Sequence, residues 1–333
     1  MRIVKSILGR ATSLFEHIVV NPGYHHLYFD KGGLMRIAQW TRRDFVAKGA
    51  RGVSACALGA GYLSLSFRGG SGIEAAARGF KIGACDWTLG KRSDPAALEI
   101  AKRIGLDGIQ VDLGNPTNGM PLLKPAVQKA YRKMATKLGV EVASLAIGAL
   151  NDVPYKSDPQ AEQWVVDSID ACKALGVKVV LLAFFAKGDL QNDPKGVEAV
   201  IQRLKKVAPK AEQAGIVLGF ESWLSARQHL DILNRVASPA LQVYYDVGNS
   251  HKQGYDIYKE IRRLGKRICE FHAKDYDDLY GKGSIDFNEV RRAMDDIGYR
   301  GWIHMEGVKM PLGIEESCKY DERYLRGVFP RSV

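Results

Sequence analysis

From residue 80 the chain alternates between two textures: short, nearly unbroken apolar runs, and longer stretches whose apolar residues recur at helical spacing. The runs at 80–87 (FKIGACDW), 108–113 (GIQVDL), 140–147, 177–184 (VKVVLLAF), 216–221 (IVLGFE), 241–245, 268–271 and 302–306 (WIHME) predict strands. The fourth is almost wholly apolar, as expected of a strand buried on both faces. The stretches at 94–104, 125–138, 158–175, 195–214, 226–236, 255–265 and 287–297 predict helices. Ser93-Asp94-Pro95 and Asp158-Pro159 open two of them, and Gly139 and Gly176 close two. In the helix over 125–138 the spacing places Val127, Ala130, Met134 and Leu138 on one face. Strand, helix, strand makes neighbouring strands parallel, and eight such units over about 230 residues predict a (β/α)8 TIM barrel. The barrel spans 80–310, with a C-terminal helix (314–325) and tail in 311–333. No Gly-x-Gly-x-x-Gly follows the first strand, which argues against a doubly wound dinucleotide fold.

The last four strands end on residues that a buried strand does not ordinarily carry: Glu221, Asp246, His272 and Glu306. Their spacings of 25, 26 and 34 residues each match one βα repeat, so all four fall on the carboxyl rim where such barrels place their chemistry. Taken singly, each reads as a strand-end cap or ion-pair partner. Taken together they form a mixed oxygen and nitrogen donor set, and three clustered carboxylates repel one another unless a cation joins them. The set suits one divalent ion, Mn²⁺, Co²⁺, Mg²⁺ or Zn²⁺, without choosing among them. Lys274 has the strand parity of His272, so it either points into the site or pairs with Asp275 or a rim carboxylate. His304 lies a layer deeper than Glu306 and reads as a hydrogen-bonded core histidine. The loops at 148–157 and 186–193 are placed to cover the site.

Charge and cysteines narrow the picture. The net charge of +11 divides into +7 on residues 1–79 and +4 on the rest, so the barrel carries no nucleic-acid signal. The five cysteines show neither Cys-x-x-Cys nor zinc-ribbon spacing and read as free, mostly buried thiols.

Four local motifs carry a resemblance: FESW (220–223), YDVGN (245–249), FHAKD (271–275) and GKGSIDFNEVRRAMDDIGYRGWIHME (281–306). With them, residues 80–306 resemble the xylose isomerase-like barrel superfamily, and within it the proteins called sugar phosphate isomerases/epimerases. The resemblance implies a divalent metal held by Glu221, Asp246, His272 and Glu306. It implies that Glu221 and Glu306 also act as acid and base, moving the proton α to a carbonyl through a metal-stabilised enediolate. The implied activity is sugar isomerisation or epimerisation. The alternative is a lyase or dehydratase acting on a keto-sugar, keto-glycoside or inosose from the same site. An endonuclease of this barrel type would need extra histidines on the early strands, and the second and third have none. A non-catalytic sugar-binding barrel would need no paired glutamates. The implied partner is a small-molecule carbohydrate, with no nucleic acid and no stable membrane insertion; a homo-oligomer is compatible with the sequence. For substrate contacts, Trp87 and Trp223 at strand ends either stack on a sugar ring or pack the rim, and Asn249, His251 and Lys274 lie beside the ligands. Some epimerases carry a histidine where this chain has Asn249 and an arginine where it has Asp278. No Gly-rich helix start with a poised Lys or Arg marks a phosphate site.

Residues 1–79 do not read as a core. Thr41-Arg42-Arg43-Asp44-Phe45 followed by a Gly/Ala-rich apolar stretch to Phe67 resembles a twin-arginine export signal, and Glu74-Ala75-Ala76-Ala77 offers a cleavage motif. The expected location is periplasmic, or cytoplasmic if the segment is no signal. Met35 (MRIAQWTRRDF) would be an ordinary start for such a signal, so the true start is expected at Met35 rather than Met1.

Overall fold

The structure is a computed structural model and describes residues 18–20, 25–29, 35–39, 79–307 and 309–331. The first three ranges are strands, Ile18–Val20, His25–Phe29 and Met35–Gln39, paired antiparallel in that order. Alternation over so few residues does not separate strand from loop, so the sequence pattern gives no element there. The twin-arginine-like segment (41–67) and the cleavage motif lie outside the described residues.

Eight strands close a parallel barrel: β1 (Lys81–Cys85), β2 (Gly108–Asp112), β3 (Glu141–Ile147), β4 (Val179–Phe184), β5 (Val217–Ser222), β6 (Leu241–Asp246), β7 (Ile268–Ala273) and β8 (Trp302–Met305). The helices are α1 (Ala97–Ile104), α2 (Pro125–Leu138), α3 (Pro159–Leu175), α4 (Pro194–Ala214), α5 (Ala226–Val236), a short α6 (Val247–Lys252), α7 (Ile257–Leu264), α8 (Phe287–Asp296) and α9 (Ile314–Val328). The predicted strands and helices all form, within a few residues at their ends. The short α6 directly follows the sixth strand; Asp246 caps it, accepting from the Asn249 N–H at 2.8 Å. Local chemistry fixes the other helices. Asp158 and Asp193 cap α3 and α4 with a proline at the first helical position of each, and Ser225 and Gln228 form a reciprocal capping box on α5.

The buried face of α2 is not quite the expected one. Gln128 and Tyr131 are buried, Val127 and Met134 flank them, and Ala130 faces solvent. Gln128 earns its burial by donating to the Leu122 carbonyl at 2.7 Å, so a polar residue occupies the centre of the packing stripe.

The main apolar core lies between strands and helices, and includes Ile82, Ile109, Val111, Val180, Leu218, Val243 and Phe271. The barrel interior is divided. A small apolar cluster of Ala146, Leu181, Ala183 and Tyr244 lies towards β3 and β4. Buried polar residues on the other strands, among them Gln110, Glu270, His272 and His304, fill the rest. His304 is stacked on Trp302 and lies against Gly83, where an added Cβ would meet its ring at 2.6 Å. At the opposite end of the barrel from the site, Phe80 donates its N–H to the Pro330 carbonyl at 3.1 Å and meets Phe329 edge to face. No helix among the described residues is long and apolar enough to cross a membrane.

Candidate active site

Parallel strands bring like ends together. His272 on β7 is in register with Asp246 on β6, and Glu221 is the penultimate residue of β5 on the other side of β6. Glu306 directly follows β8 and donates its N–H to the Ala273 carbonyl, which holds it beside β7. One ligand atom from each of Glu221, Asp246, His272 and Glu306 lies within 4.8 Å of the others. His272 Nδ1 is 3.2 Å from Glu221 Oε1, 3.4 Å from Glu306 Oε2 and 3.8 Å from Asp246 Oδ2. That last oxygen is buried with no hydrogen-bond partner. An orphaned carboxylate oxygen, two glutamates and an imidazole nitrogen converging on one point make a donor set that can hold a divalent ion.

Burial raises Asp246 above the usual carboxylate range, with Glu306 and Glu221 adding to the rise against Lys274. Burial would also raise Glu306, but Lys274 and His272 outweigh it and hold that carboxylate well below its ordinary value. Lys274 donates to Glu306 Oε2 at 2.7 Å and lies 3.5 Å from Asp246 Oδ2. Burial works against its ammonium form, yet the two carboxylates raise its pKa. Both readings of Lys274 therefore hold: it lines the pocket and pairs with rim carboxylates.

The other face of the imidazole is held from below. His272 Nε2 lies 2.8 Å from Gln110 Oε1. The Gln110 amide donates to Ser144 Oγ at 3.1 Å and Tyr244 Oη at 3.0 Å, which fixes its oxygen toward the histidine. Nε2–H then donates to Gln110. Burial works against the charged ring, but Cys85, Glu221 and Glu306 raise its pKa well above the ordinary imidazole value, so Nδ1–H faces the acids and is the proton a bound ion would displace. Tyr244 Oη is in turn hydrogen-bonded to His304 Nδ1 at 2.8 Å, so His304 is the core histidine its position suggested. Cys85 lies beneath the same imidazole, its Sγ 3.4 Å from Nε2, and burial pushes this thiol up to about 12. The four described cysteines, Cys85, Cys172, Cys269 and Cys318, are free.

Above the cluster a pocket of about 220 Å³ opens to the rim. Trp87, Trp223, Asn249 and Lys274 line it together with Glu221 and Glu306. Trp87 donates its indole N–H to Glu306 Oε1 at 3.0 Å. Asn249 accepts from Tyr276 Oη at 2.6 Å, and its amide nitrogen is 3.5 Å from Glu221 Oε1. His251 does not line this pocket. The turn of α6 carries it to a neighbouring basin, where its Nε2 meets Ser284 Oγ at 3.2 Å.

Sequence reasoning missed several residues of the wall. Arg92, Asp112, Gly148, Asn151, Phe185 and Tyr276 all line the pocket. Asp112 ends the second strand just as Asp246 ends the sixth, and that position was the available signal. The two loops expected to cover the site are tied together by Lys156, which donates to the Asp189 carbonyl and to Asp193 Oδ2. Beside Asp112, Asp86 is wholly buried; its Oδ2 accepts the N–H groups of Ser93 and Asp112, and its Oδ1 has no partner.

A parallel barrel with an acid-and-imidazole cluster at its carboxyl rim has the donor set of a site that could hold a divalent ion. The chain belongs to the xylose isomerase-like TIM barrel family, which it matches over residues 98–324. A 2-epi-5-epi-valiolone 7-phosphate 2-epimerase of Actinoplanes sp. is 30% identical over 177 residues, 53% of this chain and 65% of that protein. A D-psicose 3-epimerase of Enterocloster bolteae is 25% identical over 134 residues, 37% of this chain and 44% of that protein. The chain thus spans just under two thirds and under half of these curated relatives. Among solved structures, a D-psicose 3-epimerase with D-tagatose from Clostridium cellulolyticum H10 superposes with a TM-score of 0.65 at 16% identity, covering 75% of this chain and 99% of that one. That likeness is one of fold.

Burial, reinforced by the charge of Asp112, pushes Asp86 from 3.8 up to about 8. Its folded pKa is raised, so the folded state holds a proton that the unfolded chain releases. The stability it contributes is full below about 3.8 and is lost as the pH rises through about 8. Asp86→Asn keeps an acceptor for both N–H groups and removes that titration. The variant is expected to gain thermal stability relative to the unsubstituted protein as the pH is raised from 5 to 9. Parallel melting-temperature profiles, followed by circular dichroism, would contradict this.

Proposed function

We propose that this protein is a metal-dependent sugar epimerase or isomerase. The observation that carries the reading is the convergence of Glu221, Asp246, His272 and Glu306 beneath a pocket sized for one sugar unit, with the two glutamates on non-adjacent strands. The names of the two curated relatives, both epimerases of carbohydrate-like compounds, support it. The donor set fits a divalent cation, and Mn²⁺ is the first to try. When bound, such an ion supplies Lewis-acid stabilisation of the negative charge that develops on a carbonyl oxygen.

The protein's own groups do the rest. Glu306 is held as a carboxylate by Lys274 and by the indole N–H of Trp87, and so stands in the deprotonated form that a base needs. Glu221 approaches the same space from β5, across the pocket from β8. One glutamate removes the C–H proton next to the carbonyl, leaving an enediolate. The other returns a proton to the opposite face. Lys274 offers an N–H donor to a substrate oxygen in the same pocket. Trp87 and Trp223 give the sugar an apolar wall.

Incubation in D₂O with Mn²⁺ and a ketose panel is expected to place deuterium on the carbon next to the carbonyl. Glu306→Gln should lower the turnover by about a hundredfold or more. Full activity of that variant would remove the acid/base assignment, and loss of water or an aglycone without epimer formation would favour the lyase. Gln110 is expected to set metal affinity by fixing the imidazole. By calorimetric titration with Mn²⁺, Gln110→Leu should bind about 10- to 100-fold more weakly. Gln110→Glu, which keeps an acceptor for Nε2–H, should bind close to normally. Equal affinities in all three proteins would refute the orienting role.

We further propose export through the twin-arginine-like segment, with translation starting at Met35. Mass spectrometry of the native protein is expected to find a mature N-terminus after residue 67. Peptides upstream of Met35 would refute the proposed start, and a mature protein retaining Arg42-Arg43 would refute the export.

A further inference from the structure

Two cationic side chains line the central pocket, Lys274 and Arg92, and both are already paired. Lys274 is matched by Glu306 at 2.7 Å. Arg92 Nη1 is matched by Asp112 Oδ2 at 2.9 Å. Asp112 is a fixed partner. Its side chain is 1% exposed, and its Oδ1 accepts the Gly114 N–H at 2.7 Å. Gly148 leaves room for the pair, since an added Cβ there would sit 2.7 Å from Asp112 Oδ2 and 3.2 Å from Arg92 Nη1. On its other side the guanidinium lies over the Trp87 ring at 5.4 Å. The indole of Trp87 is itself anchored on Glu306. Arg92 is therefore held between a carboxylate and an aromatic face, while its side chain stays 46% exposed and lines the pocket.

A guanidinium carries five N–H donors, and the Asp112 pair uses one of them. The Arg92–Asp112 pair thus offers several hydrogen-bond donors and no net charge. A phosphate ester carries about −1.5 to −2 at neutral pH and is ordinarily met by unpaired cations or a helix N-terminus. Among the described residues that line this pocket, no cation lacks a carboxylate partner. Neutral hydroxyl groups match such a wall, and about 220 Å³ is below the ~300 Å³ at which drug-sized pockets begin, so one sugar unit fills it. The relatives do not decide the matter, because the name of one contains a phosphate and the name of the other does not.

We propose that Arg92 is the specificity-determining residue, that it reads hydroxyl groups of an uncharged carbohydrate, and that Asp112 neutralises it against phosphorylated substrates. The inference rests on the sugar chemistry proposed above and adds the class of sugar.

The test is calorimetric binding to the Mn²⁺-loaded protein of matched probes: D-psicose against D-psicose 6-phosphate, and D-ribulose against D-ribulose 5-phosphate. The unsubstituted protein is expected to bind the free ketose of at least one pair tenfold or more tightly than its ester. Asp112→Asn unmasks the charge of Arg92 and should improve ester binding about tenfold relative to the free sugar. Arg92→Met should weaken the free ketose about tenfold while its Mn²⁺ affinity stays unchanged. Should Asp112→Asn not fold, Arg92→Gln takes its place. It retains donors without charge and should keep the preference for the free sugar. Esters bound as tightly as free sugars, or an Asp112→Asn protein with an unaltered ratio, would overturn the assignment while leaving the epimerase reading intact. Intact Mn²⁺ binding with no affinity for any of the four sugars would overturn both.

Discussion

The site is governed by one electrostatic constraint: three carboxylates, buried or nearly so, are brought to the rim of a barrel within reach of one another. Like charges at this spacing in a poorly solvated place do not persist without a cation. The surrounding structure answers that constraint. The Lys274 ammonium bonds to Glu306 and faces Asp246, His272 turns one nitrogen toward the acids, and Trp87 steadies the outer oxygen of Glu306. The layer beneath, running from Gln110 through Tyr244 to His304, keeps the imidazole from turning away. Part of the barrel interior is consequently a hydrogen-bonded polar stack, and its apolar filling is confined to the side of β3 and β4.

How much of this was legible in the sequence follows from where each residue stands. The convergence of these four residues was readable because a parallel barrel has one rule for position: a polar residue at the end of a buried strand lies on the rim. Glu221, Asp246, His272 and Glu306 obey it. Gln110 was hidden inside a run that reads simply as a strand, since its significance depends on which residue of another strand it faces. Arg92 was hidden for a different reason. It sits in a loop, and its approach to Asp112 depends on a turn geometry that apolar periodicity does not describe. His251 shows the converse limit: proximity to Asp246 in sequence suggested the pocket, but a single turn of helix swung it into the next basin. On α2 the expected stripe missed its own centre, because a glutamine satisfied by the Leu122 carbonyl packs as readily as an apolar residue.

In the proposed function, chemistry and recognition are divided around the pocket. The acid and imidazole groups come from β5 to β8, while the Arg92 and Asp112 wall comes from the connection after β1 and the end of β2. Trp87 is the physical join between them, bonded to Glu306 on one side and covered by Arg92 on the other. Loop changes on the early strands could therefore alter what is bound while the acid and imidazole groups stay in place, as loop variation does across barrels of this fold.

Lys274 has one more implication. A chain that brings its own ammonium into the acid cluster does not depend on an inorganic ion to hold its shape. With the proposed ion, and unlike a zinc finger, which collapses when stripped, this barrel should tolerate chelation as a compact, reloadable apoprotein, its folding separate from its metal loading.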